Sequence, residues 1–190
     1  MKRMMMLALT AMFVVLAANA KDDKVTLTSG DGKMLIESSK KATIDFDYSK
    51  TIAEDKPIKQ YLKERGAEVE RGWPEVAKAA KTRFIERFNS KNKKGVQIVE
   101  AGAADLKMKV VVEKLHLGST ATAVVFGGLG SAGGAEITGK LIVTDAKTKK
   151  VVAVYEIFEV RGNGSTDFTE GKRLGTCYEN VAKMILKASK

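Results

Sequence analysis

Among its 190 residues the chain holds one cysteine, one histidine and two prolines. Each scarcity removes a class of chemistry. Cys177 has no partner for an internal disulfide, so stability rests on a packed core rather than on covalent staples. A lone His116 excludes a metal site built from several histidines, and no catalytic triad can draw on a second imidazole. Aromatic residues make up only 6% of the chain and no recognised nucleic-acid-binding motif occurs, so the basic balance does not point to DNA or RNA. Long apolar runs are missing too, with one exception at the start.

That exception has three parts. Lys2 and Arg3 form a positive opening, Met4 to Ala17 carries no charge, and Ala18-Asn19-Ala20 places small residues at the two positions a signal peptidase reads. Cleavage after Ala20 is expected, leaving Lys21 as the first mature residue. The apolar run is shorter than the roughly 20 residues a spanning helix needs. Lys21 also stands where a lipoprotein would need its acylated Cys. The sequence therefore predicts a periplasmic or secreted protein: residues 1–20 a cleaved signal, 21–190 a single domain with its core in 41–186. Losing Lys2 and Arg3 lowers the net charge from +10 to +8. A lysine-rich surface of that kind favours solubility and loose attraction to anionic surfaces.

Periodicity then divides the mature chain. Lys24 to Ile36 reads as two short extended pieces, Val25–Leu27 and Met34–Ile36, around a Ser29-Gly30-Asp31-Gly32 turn. Between Ala42 and Tyr48, Ile44, Phe46 and Tyr48 alternate with Thr43, Asp45 and Asp47, as in a half-buried strand. Pro57 opens a short helix that Gly66 stops, and a longer helix runs from about Pro74 to Asn89 with Val76, Ala80, Phe84 and Phe88 on one stripe. A short strand follows at Val96 to Glu100. Leu106 to Leu117 and Ile137 to Val143 alternate as strands, and Val151 to Val160 is apolar on both parities, as a strand covered on both sides would be. Asp167 and Glu170 resemble a capping box opening a last helix with Leu174, Cys177, Val181 and Ile185 on its buried stripe. The expected fold is α+β: a mixed, mostly antiparallel sheet of about five strands packed by two amphipathic helices.

Several motifs fail on their context. Gly128 to Gly133 has the G-x-G-x-x-G spacing, but it leads into a strand rather than a helix whose N-terminus could bind pyrophosphate. Gly134 to Lys140 matches G-x-x-x-x-G-K, yet Leu141 stands where a phosphate loop needs Ser or Thr. No cofactor, metal site or catalytic constellation is predicted. Asp45 and Asp47 share a strand face and could do acid–base work with Glu156 only if the fold brought the three together. Cys177, on a buried stripe, is read as a small hydrophobe, and His116, on the parity of the core face, as structural. The segment from Leu117 to Ala135 carries no charge, and Val124, Val125, Phe126 and Leu129 make it a candidate tip for weak membrane-surface or partner contact.

The second half of the chain, with its Gly-rich stretch, the strand–turn–strand from Glu136 to Phe158 and a closing helix, resembles the periplasmic domain of the curli secretion channel family. In that pattern an apolar strand is followed by Asp, two residues, Thr-Gly and Val; here Asp145, Thr148 and Val151 match and Lys149 replaces the Gly. The resemblance extends over Lys41 to Leu186 and implies a fold and an envelope location. The channel proteins' lipid-bearing Cys has no equivalent. The sequence thus reads as an exported, non-enzymatic binding or assembly module whose partner is another envelope protein or a second copy of itself. The alternatives are a hydrolase using strand carboxylates and a small-ligand or lipid carrier.

Overall fold

The computed structural model describes residues 24–118, 134–162 and 170–190. The signal cleavage positions Ala18, Ala20 and Lys21, the contact residues Val124, Val125, Phe126 and Leu129, and Asp167 of the expected capping box lie outside them. Within the described residues the strands are β1 (Val25–Gly30), β2 (Lys41–Asp47), β3 (Ile52–Ala53), β4 (Lys56–Pro57), β5 (Gln97–Ile98), β6 (Leu106–His116), β7 (Glu136–Asp145) and β8 (Val151–Arg161). The helices are α1 (Lys33–Glu37), α2 (Ile58–Glu64), α3 (Ala67–Lys91) and α4 (Glu170–Ala188). The class is α+β. The count differs from the expected five strands and two packing helices: β3, β4 and α1 carry too little sequence to show a period, while α2 and β5 fall on the short helix before Gly66 and the short strand at Val96 to Glu100.

The sheet runs in the order β1-β8-β7-β6-β2-β5, with β3 beside the far end of β6 and β4 beside β3. β6, β7, β8 and β1 form an antiparallel meander, while β2 lies parallel to β6 and β5 parallel to β2. Alternation explains the long strands. Leu106, Met108, Val110 and Val112 on β6 and Ile137, Leu141 and Val143 on β7 are buried, as predicted.

A β-bulge between Val112 and Lys114 then shifts β6 by one residue. Leu115 and Leu117 therefore continue the buried row, and His116 turns to the exposed side. The expected core-face placement of His116 is corrected by that one extra residue. Gly139 lies opposite the bulge. A Cβ there would come within 2.1 Å of the Val111 carbonyl oxygen, so only glycine fits.

Three further expectations change. Met34–Ile36 belongs to α1 rather than to a strand, with Leu35 fully buried. The long helix begins at Ala67, and Pro74 lies inside it rather than at its start. Gly66, at φ +108°, makes the break between α2 and α3 in a conformation that disfavours other residues. β8 is buried on one face only: Ala153, Tyr155 and Ile157 point inward, whereas Glu156 and Phe158 are exposed.

α3 and α4 pack side by side on the inner face. Phe84 and Phe88 of α3 and Leu174, Tyr178, Val181 and Ile185 of α4 are fully buried. Phe46 of β2 stacks on Tyr178 at 4.7 Å between ring centroids and meets Phe84 edge-on at 5.5 Å. Aromatic contacts of this geometry add roughly 0.5–1.5 kcal/mol each beyond their burial. Arg83 and Arg87 of α3 both reach Glu179 of α4 at 3.2 Å. Asn92 closes the far end of α3 by donating to the Leu35 and Val96 carbonyls at 2.8 and 3.0 Å, tying α1 and the approach to β5 together.

Candidate functional site

With both long helices on one side, the other face of the sheet lies open, and the sequence decides what it presents. Cross-strand register sets Asp47, Val111, Lys140, Glu156 and Thr26 in one row and Asp45, Lys109, Ile142 and Val154 in the next. Lys109 Nζ lies 2.7 Å from Asp47 Oδ2, and Lys140 Nζ lies 2.8 Å from Glu113 Oε1. The Lys109 hydrogen bond, helped by Ser49, holds the Asp47 carboxyl well below the usual carboxylate range. Lys109 is raised in return.

The three acids singled out from the sequence share this face and do not converge. β6 and β7 stand between β2 and β8, so Asp45 and Asp47 are about three strand spacings, roughly 14 Å, from Glu156. A hydrolytic pair needs its carboxylates within roughly 10 Å across a substrate. No described cavity joins these three.

Between the charged pairs runs an apolar streak. Val111, Ile142 and Val154 are half-buried on neighbouring strands, and Phe158, separated from Val154 by exposed Glu156 on the same face of β8, is 62% exposed. Phe158 also borders a small hollow of about 110 Å³ with His116 and Glu136, the residues that close the described part of the β6–β7 hairpin. There His116 Nδ1 sits 2.9 Å from Glu54 Oε2, and the other Glu54 oxygen accepts the Leu117 backbone N–H at 3.2 Å. Glu136 pairs with Arg161. Periodicity could not have found the Glu54–His116 pair, because 62 residues separate its members.

Cys177 is buried and donates toward the Val160 carbonyl at 3.2 Å. Burial pushes its thiol up, so little thiolate forms at neutral pH. Tyr48 and Tyr178 share a hydrogen bond between their hydroxyls, and burial raises both phenols. Among the described residues, no group of three or more His, Cys, Asp or Glu side chains is placed to hold a metal ion, and no helix is long and apolar enough to cross a membrane.

A second feature lies where the two long helices end. Because Arg83 and Arg87 face Glu179, and Lys91 lies beside Leu186, α3 and α4 run in the same direction. Their C-terminal ends therefore meet. A groove of about 610 Å³ opens there beside β1, and a hollow of about 380 Å³ adjoins it, sharing Lys91, Leu186 and Lys190. The Lys91 to Lys94 cluster reads in sequence as a helix terminus complementing its dipole. The fold adds lysines from another helix to it.

Compared with known proteins, the chain matches no family model and no curated protein. Solved structures that it matches include a PelC dodecamer from Paraburkholderia phytofirmans, at 14% identity over 87% of this chain and 96% of that one, with a TM-score of 0.48. A single-residue variant of the same dodecamer gives 13% identity over 87% and 95%, with a TM-score of 0.46. An uncharacterised protein gives 8% identity over 84% and 96%, with a TM-score of 0.39. These likenesses do not show membership of the curli secretion channel family.

Proposed function

We propose that the chain is an exported, non-enzymatic envelope protein that associates with a second copy or another envelope protein through the open face of its sheet. The observation carrying this reading is that face: an apolar strip of Val111, Ile142 and Val154, with exposed Phe158 standing beyond Glu156 on β8, flanked by the Asp47–Lys109 and Glu113–Lys140 pairs. An apolar centre with a polar rim is the anatomy of a protein–protein contact. The carboxylates a hydrolase would need are spread along the same face, with Asp47 engaged by a lysine. The signal sequence, cleaved after Ala20, supplies the envelope address. The uncharged segment with Val124, Val125, Phe126 and Leu129 joins β6 to β7 in the sequence and is a further candidate contact.

The test begins with the native mass of the chain from Lys21 to Lys190. A defined oligomer that Phe158→Ser or Phe126→Ser/Leu129→Ser reduces to monomer supports self-association. A photo-crosslinker at position 158 of the exported protein covers the other partner class. A monomer that yields no specific adduct from that position removes the open face as an interaction surface.

A further inference from the structure

The groove between the ends of α3 and α4 combines two properties that a solvated surface has no reason to combine. Its rim is basic: Lys91, Lys183 and Lys190 are exposed around it, Lys24 and Lys187 line it as well, and the adjoining hollow adds Lys93 and Lys94. Among the described residues, no acidic side chain lines either space. Its floor is apolar, formed by Val25, Met184, Leu186 and Ala188. Two helix C-termini place about half a negative charge each at this end, far less than the lysines bring. The net field is strongly positive.

From this we infer that the lysine-rimmed groove docks the protein on a bilayer surface that contains anionic phospholipid. The lysines meet phosphate groups at the headgroup level, their stems lying along apolar surface while the ammonium groups stay in the polar layer. The apolar floor faces the acyl boundary. That floor separates a membrane from a soluble acidic polymer, which offers the same negative charge and nothing for the half-buried Met184 and Ala188 to meet. This surface is distinct from the open sheet face and does not depend on it.

The experiment is co-sedimentation of the chain from Lys21 to Lys190 with phosphatidylglycerol–phosphatidylcholine vesicles and with pure phosphatidylcholine vesicles, at about 0.1 M and about 1 M salt. Screening shortens from about 10 Å to about 3 Å between those conditions. The expected result is binding to the anionic vesicles only, lost at high salt. Binding should fall at least tenfold in Lys91→Gln/Lys183→Gln/Lys190→Gln, recover when the same three positions carry Arg, and persist in Phe126→Ser/Leu129→Ser. Circular dichroism of each variant confirms the fold. Binding left intact by the Gln exchanges, or abolished by the hairpin exchanges alone, overturns the assignment. So does displacement by polyglutamate at equal charge concentration, which would make an acidic polymer the occupant. Self-association lost without loss of vesicle binding would separate a failure of the sheet-face reading from a failure of this one.

Discussion

The two faces of this sheet come from the same strands, and adjacent residues go to opposite fates. On β7, Leu141 is fully buried under the helices while Ile142 stands on the open side. On β8, Ile157 is buried and Phe158 is 62% exposed. The covered face holds fully buried side chains from three long strands and two helices, so stability is concentrated there. The open face holds salt bridges in high dielectric, each worth little, and an apolar streak that gains free energy only when something covers it. Fold and function can therefore be perturbed separately, one face at a time.

The largest effect should come from the covered side. Phe84→Ala deletes a ring packed against Phe46 and Phe88 and is expected to cost about 3–5 kcal/mol. Urea unfolding would show it as a lower midpoint at unchanged slope. A loss below about 1 kcal/mol would mean that the helix layer packs more loosely than described.

The sharpest form of the comparison is the pair Leu141→Ala and Ile142→Ala. The first should cost about 2–5 kcal/mol, the second under about 1 kcal/mol, since it removes a half-buried side chain. Equal losses would show that the open face is covered in solution.

Acid should act on the open face more gently. The carboxyl of Asp47 is held below its ordinary value of 3.8 by Lys109. Its contribution is thus complete above that ordinary value and is lost as pH falls through the lower folded-state value. Thermal midpoints should decline below about pH 4, with a shallower decline in Asp47→Asn. Identical profiles would show that the pair adds nothing to stability. The smallest change in stability belongs to Phe158→Ser, within about 0.5 kcal/mol of the parent. Its effect should appear in native mass instead, and a large loss of stability would place Phe158 in the fold rather than in a contact.

Legibility followed length. Strands β6 and β7 and helix α4 were readable because each repeats its period several times. β8 misled because Val152, Val154 and Phe158 are apolar on the uncovered parity, a pattern that a second layer would also produce. The β6 bulge carries no signal of its own, so parity alone puts His116 on the wrong side. Pro74 looked like a helix start because it suits a first turn, and only tertiary packing shows the helix beginning at Ala67. Of the candidate surfaces, Asp45 and Asp47 were legible as a shared face. Their distance from Glu156 was not, since it depends on strand order. The basic groove draws on Lys24, Lys91 and the run from Lys183 to Lys190, segments joined only by the helices' common direction.

The pairing of β1 with β8 has a kinetic side. Val25 meets Ile157, and the sheet order puts the first described strand against the last. Residues from opposite ends of the chain must find each other before that edge closes, a contact of high sequence separation and so slow to form. β2 likewise waits for β6 across the whole of α3. While the chain is still emerging from a ribosome, its N-terminal half holds two strands without their partners and a helix without a sheet to lie on. Such a chain cannot close its sheet until its C-terminal strands exist, so the order of synthesis delays the fold to its last third.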